Sequence, residues 1–351
     1  MIATATPAAA HTVGGVNATN YRTEIRSVTP AAAALTIRAI DNGARLELTN
    51  SGRQDVVVEG YDGEPYLRIG PRGVFENARS PARYLNRVLR NPEPPPASAD
   101  PDAPPEWVRV SSGNTARWHD HRTHWMGVTD PPVVRRAPGA EHLIQRFHLL
   151  LHVGDQTVHV RGDVRWIPGP SPWPWIAGAA VLAIGTVLGA RTRRAAAVLA
   201  AVLVIALVAA VVHAAGAWTV SSASLGKRAG DALPTLGAVA LGVVALVQLR
   251  RRGIRAAAPL LVFAGLFLGI AIGLADLSAL YKSQLPTDLP YALDRLTITL
   301  ALGGGFGVAV GAGFHVTDRP AVRGAPTGSP PTPSPGSPPG TENDSHSMMQ
   351  G

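Results

Sequence analysis

The chain divides into two unlike halves: an N-terminal all-β immunoglobulin-like sandwich, then an α-helical membrane domain of about five spans. Three observations predict this. Up to residue 167 apolar and polar side chains alternate in short runs, the period of half-buried strands. Beyond Trp173 the apolar residues gather into long runs of bilayer-spanning type. Between the halves lies Pro168-Gly169-Pro170-Ser171-Pro172, which suits neither a helix interior nor a central strand.

At 351 residues the chain has room for two or three units. Its net charge of +8 is carried almost wholly by arginine, with Lys227 and Lys282 the only lysines. Much of that charge sits in short loops between apolar runs. Membrane topology accounts for it there, and nucleic acid is not an expected partner. The chain has no cysteine, which excludes disulfides and thiolate metal sites. A metal site would have to use His, Asp, Glu, Met, backbone or the terminal amine.

Taken in order, residues 1–10 have the small-residue end of a secretory signal, with Ala8 and Ala10 at the cleavage positions but no charged or apolar region before them. They are the remnant of a signal whose start lies upstream, the reading preferred here, or a flexible N-terminus. Cleavage after Ala10 makes His11 the mature first residue. Residues 11–167 form the β-domain. Leu35–Arg38 and Arg45–Leu48 alternate on either side of Asp41-Asn42-Gly43, a strong hairpin signal. Val56-Val57-Val58 continues the pattern, and Tyr66–Ile69 and Val74-Phe75 flank the turn Gly70-Pro71-Arg72-Gly73. Residues 91–105 form a Pro-rich loop inside the domain. The last two strands are clearest: Leu143, Phe147, Leu149, Leu151 and Val153 share one face, then Val158, Val160, Val164 and Trp166 face inward after the turn at Gly154-Asp155. His142, His148, His152 and His159 form an outward row, and one register sets His152 opposite His159.

The membrane domain covers 174–315, with spans near 174–190, 195–217, 231–249, 256–275 and 291–314. Trp173 and Trp175 suit an interfacial anchor. Arg191, Arg193 and Arg194 follow the first span, and Arg250, Arg251, Arg252 and Arg255 follow the third. The positive-inside rule puts both loops in the cytoplasm. The β-domain then lies outside the plasma membrane and the C-terminus inside, with 316–351 a disordered Pro/Ser/Gly-rich tail. His213 and Asp276 fall near the outer ends of spans, and His315 near an inner end, where ionisable groups are tolerated.

Chemistry-bearing side chains concentrate in Trp118–Met126. His119 and His121 point the same way on a strand, while His121 and His124 converge on a turn. Either arrangement presents two imidazoles to one metal. Met126 adds a soft group favouring Cu(I), and Asp120 serves as ligand or as acceptor for an imidazole N–H. A mature His11 adds an amine–imidazole chelate suited to Cu(II). Against this stands a plain structural reading, in which Trp118 and Trp125 plug the end of a sandwich. Asp62 and Glu64 are spaced like a strand pair and with Glu76 offer an acid and a base, but a Gly-rich turn with solvated acids is the preferred reading; no nucleophile elbow, P-loop or zincin motif is present.

The segments YDGEPYLRIGPRGVFEN, SPARYLN, WHDHRTHWMG and VRGDVRWIPGP, followed by apolar spans, resemble a family of uncharacterised multi-pass membrane proteins of high-GC bacteria with an exported β-domain. The His-rich loop and the order of domains are also similar to the copper-resistance proteins of CopC and CopD type. That resemblance implies a copper cofactor and extracytoplasmic copper handling, with His119, His121, His124, His11, Asp120 and Met126 as the metal set. The competing expectation is a metal-free, non-catalytic module that binds an envelope protein, with the lipid bilayer as its other partner; a metal chaperone belongs to the copper reading.

Overall fold

A computed structural model of the chain describes residues 17–88 and 93–317. His11, residues 1–10, the start of the Pro-rich loop and the tail after Thr317 lie outside the described residues.

An antiparallel β-region precedes a helical region. Its strands are β1 (Tyr21–Thr29), β2 (Leu35–Ile40), β3 (Arg45–Asn50), β4 (Val56–Glu59), β5 (Pro65–Gly70), β6 (Gly73–Asn77), β7 (Trp107–Ser111), β8 (Thr115–Trp118), β9 (His142–Val153) and β10 (Gln156–Trp166). Two short helices, α1 (Pro81–Leu85) and α2 (Pro132–Arg136), lie between them. Seven strands form one sheet in the order β1-β10-β9-β4-β5-β6-β7, and β2-β3-β8 form a second. Leu46, Leu48, Ala116 and Trp118 from the small sheet share one buried cluster with Val56, Ile69, Leu149, Leu151 and Val160 from the large one. The two sheets therefore pack face to face across one core.

The β2–β3 turn falls where the sequence puts it. Asp41, Asn42 and Gly43 all take positive φ (53°, 54° and 87°), a run that Asp, Asn and Gly tolerate best. The last hairpin departs in register. His152 pairs with Thr157 and His159 with Leu150, so the two imidazoles are not opposed. A bulge skips Ile144, because Val164 faces Gln145 and Arg165 faces Leu143. The extra residue reverses the alternation below it. Leu143, expected inside, is 39% exposed, and Ile144 packs on the core in its place.

The helical region comprises α3 (Trp173–Gly189), α4 (Ala195–Val220), α5 (Leu225–Leu268, running into a π-turn at Gly269–Leu274) and α6 (Tyr291–Thr317). Three segments, Ala195–Val220, Leu225–Leu274 and Tyr291–Val316, are long and apolar enough to cross a membrane. Apolar side chains cover their outer faces: Val208 is 57% exposed, Phe263 63% and Val310 52%. Such surfaces favour a hydrocarbon solvent over water.

α5 is not one rod. Gly253 takes φ 78°, ψ 177°, outside the helical region. A Cβ placed on Gly237 would lie 3.6 Å from the Phe267 ring, whereas a straight helix would separate these residues by about 45 Å. The segment therefore doubles back on itself at Gly253. α6 lies among the others, and its glycines allow backbone contact. A Cβ on Gly303 would meet the Ala179 carbonyl of α3 at 2.4 Å, and one on Gly305 the Gly269 nitrogen at 2.6 Å.

Candidate functional site

The Trp118–Met126 stretch folds as the end of β8, a 3-10 turn at His121–Thr123 and an extended exit. Its centre is Asp120, which is fully buried. The carboxylate accepts from Arg122 Nε at 2.8 Å and Nη2 at 2.8 Å, from the Arg122 backbone N at 3.1 Å and from Trp118 Nε1 at 3.2 Å. Arg122 also donates to the Gly60 and Glu59 carbonyls at 3.3 Å, and its guanidinium lies 4.9 Å from the Tyr61 ring centre. Burial opposes the Arg122 charge, but hydrogen bonds to Asp120 and its charge hold the guanidinium pKa above its ordinary value. Tyr61 donates to Asn86 Oδ1 and accepts from the His121 backbone N, and burial, aided by the Asp120 charge, pushes its hydroxyl pKa up.

The three imidazoles each turn a nitrogen to a backbone carbonyl. His119 Nδ1–H donates to Ala44 at 2.7 Å, His121 Nε2–H to Val88 at 3.0 Å and His124 Nδ1–H to Asp120 O at 3.1 Å. With carbonyl acceptors the tautomers follow from the partners. The rings of His121 and His124 meet edge to face with centroids 5.7 Å apart, while His119 is directed to the β2–β3 turn. Met126 is half-buried. Among the described residues no group of three or more His, Asp or Glu side chains is arranged to hold a metal ion. The Asp120 carboxylate is engaged by Arg122 and Trp118; a carbonyl bond at one ring nitrogen is also the arrangement of metal-ligating histidines, so the imidazole bonds do not by themselves decide against a metal. Burial lowers the His119 pKa, with the Ala44 hydrogen bond opposing and the Arg45 charge adding to the effect.

The other candidates resolve as follows. Glu64, expected to be solvated, is buried: it accepts from Ser80 Oγ at 2.5 Å and from the Asp62 backbone N at 3.0 Å, so it braces the turn ahead of α1. Glu76 pairs with Arg83 at 3.0 Å. His148 and His159 stack and share a hydrogen bond of 2.9 Å, and His152 bonds Glu59 Oε2 at 2.9 Å. His315 Nε2–H donates to the Ala190 carbonyl at 2.9 Å, tying α6 to the end of α3.

Two features that only the fold assembles occur where the β-region meets the helices. The first is a docking seam. Thr19 and Gln284 exchange both main-chain hydrogen bonds, at 2.9 and 2.8 Å, Asn20 Oδ1 accepts from Ser283 N at 2.9 Å, and Ser283 Oγ donates to Ile167 O at 2.8 Å. Beside the seam opens a cleft of about 480 Å³. Its β-region wall includes Tyr21, Arg22, Arg38 and Asp41, and its helical wall includes Thr219, Ser221, Gln284, Thr287 and Tyr291. The second feature is a buried ionic cluster, in which His213 of α4 stands between Asp276, after the π-turn, and Asp294 of α6. His213 and Asp276 were visible at span ends; their pairing, and Asp294 as the third member, require the fold.

Compared with known proteins, the chain matches no family model, no curated protein and no solved structure.

Proposed function

We propose that the chain is a multi-pass plasma-membrane protein that holds its β-region on the outer face of the bilayer and binds a small polar ligand in the cleft between the two, without catalysis. The observation that carries this reading is the cleft itself. It has a mixed charged and hydroxyl-bearing lining drawn from both regions, at a domain junction where ligand sites are common. Five spans are inferred: α3, α4, the two limbs of α5 on either side of Gly253, and α6. The arginines at 191, 193, 194, 250, 251, 252 and 255 follow the first and third of these, which supports a cytoplasmic position for both loops and an outer position for the β-region. The β-region is read as immunoglobulin-like in the broad sense of two antiparallel layers over one core.

The test is retention of ligand by the full chain in lipid nanodiscs, read by native mass spectrometry. Thr219→Trp projects an indole into the cleft from the exposed last turn of α4 and is expected to abolish retention. Equal retention by both proteins overturns the reading. Copper handling is separated by titrating the full chain with Cu(II) and Cu(I). The cleft reading predicts the same copper uptake by wild type and by the variant with His119, His121 and His124 all changed to Ala, with lower thermal stability in the variant. Tighter copper binding by the wild type replaces the cleft with the metal reading.

A further inference from the structure

Both ring nitrogens of His213 face carboxylate oxygens, Nδ1 to Asp294 Oδ1 at 2.8 Å and Nε2 to Asp276 Oδ2 at 3.3 Å. All three residues are buried. A neutral imidazole has one N–H and one lone pair, so it cannot satisfy two ionised carboxylates. The observed geometry therefore holds one proton beyond the set of neutral imidazole and two carboxylates, whether that proton sits on the ring or on an oxygen. The surrounding charges are few. Arg295 of α6 donates to the Ala279 carbonyl at 3.0 Å and the Lys282 carbonyl at 2.8 Å, over the ring of Tyr291. Ser278 and Ala279 from the outer loop, Ala217 from α4, and Ala18 from the lead-in to β1 complete the surroundings. A cavity of about 10 Å³ adjoins the cluster, room for about one water. Ala217 and Pro286 line both that cavity and the cleft, which places the outer solvent next to the cluster.

We propose that His213, Asp276 and Asp294 form a proton-binding site whose occupancy controls how firmly the outer loop holds the β-region. Ionisable groups placed among membrane helices are costly and tend to be functional. The mechanical link is short. Asp276 opens the loop, Arg295 grips it at Ala279 and Lys282, and Ser283 and Gln284 carry the seam to Asn20, Thr19 and Ile167. When the proton leaves for the outer solvent, a ring lone pair faces a carboxylate oxygen. The repulsion separates Asp276 from α4 and loosens the loop and the seam together. This inference does not depend on what the cleft binds.

The experiment uses the full chain in lipid nanodiscs. With no native cysteine, nitroxides at Arg53→Cys and Leu225→Cys report the distance between the two regions by pulsed electron resonance, and ¹⁵N-histidine NMR reports the charge on His213. As the pH rises from about 5 through and above the ordinary histidine range, the protonated signal of His213 is expected to weaken. The distance distribution broadens over the same interval. In Asp276→Asn the new carboxamide donates to the ring while the ring donates to Asp294, so no extra proton is needed and the distance stays narrow at every pH. A wild-type distance that does not change with pH, or an Asp276→Asn protein that follows the wild-type pH profile, overturns the proposal.

Discussion

At the scale of single residues, Asp120 organises the stretch that looked most like a site. Its carboxylate neutralises a mostly buried guanidinium and satisfies an indole N–H. Asp120→Ala leaves Arg122 without its counter-charge and is expected to cost about 3–5 kcal/mol, read as a lowered denaturant midpoint of the β-region within the full chain. Asp120→Asn keeps one acceptor and costs less. His119 makes the second prediction. Its pKa is lower in the folded protein than in the unfolded chain, so the unfolded state binds more protons as the pH falls. Stability contributed by neutral His119 is present above the ordinary imidazole range, near pH 6.5, and is lost progressively below it. His119→Asn retains a donor toward Ala44 and is expected to flatten that part of the thermal unfolding profile. The concentration of His, Asp and Trp was visible in the sequence. What they do was not, because the partners of Arg122 and His121 at residues 59–61 lie some 60 positions away.

At the scale of elements, periodicity served the strands well where one face is buried, and failed by one residue at the Ile144 bulge, which no composition signal marks. In the helical region, Gly and Ala marked close packing but not which helix meets which. α6 is the element on which the others converge, and Gly305 sits backbone to backbone against Gly265 and Gly269. Gly305→Leu has no space for its side chain. The full-length protein is expected to lose helical assembly, seen as early elution loss and aggregation in detergent, while Gly313→Leu, with nothing within 4 Å of its Cβ position, behaves as wild type. The reversal at Gly253 follows an arginine run that the sequence already identified as a loop. Its backbone angles belong to the left-handed side, which glycine occupies at least cost.

At the scale of the whole molecule, the sequence separated the two halves correctly and was silent on their contact. The docking seam uses main-chain groups and short polar side chains, which have no pattern of their own. Gly169 shows how tight it is, since a Cβ there would fall 1.8 Å from the Tyr281 carbonyl oxygen. Gly169→Val is expected to undock the β-region without unfolding it. Limited proteolysis of the full chain would then cut within residues 168–172, where the wild type resists.

The seam also bears on the order of synthesis. Asn20 and Ser283 bond across a separation of 263 residues. A ribosome completes the β-region long before it makes the loop that receives it, and N-terminal domains generally fold first as units. The β-region can attach to that loop only after α3, α4 and both limbs of α5 have been made. Its attachment to the 276–290 loop comes late in synthesis, with α6 and the residues after it still to be made.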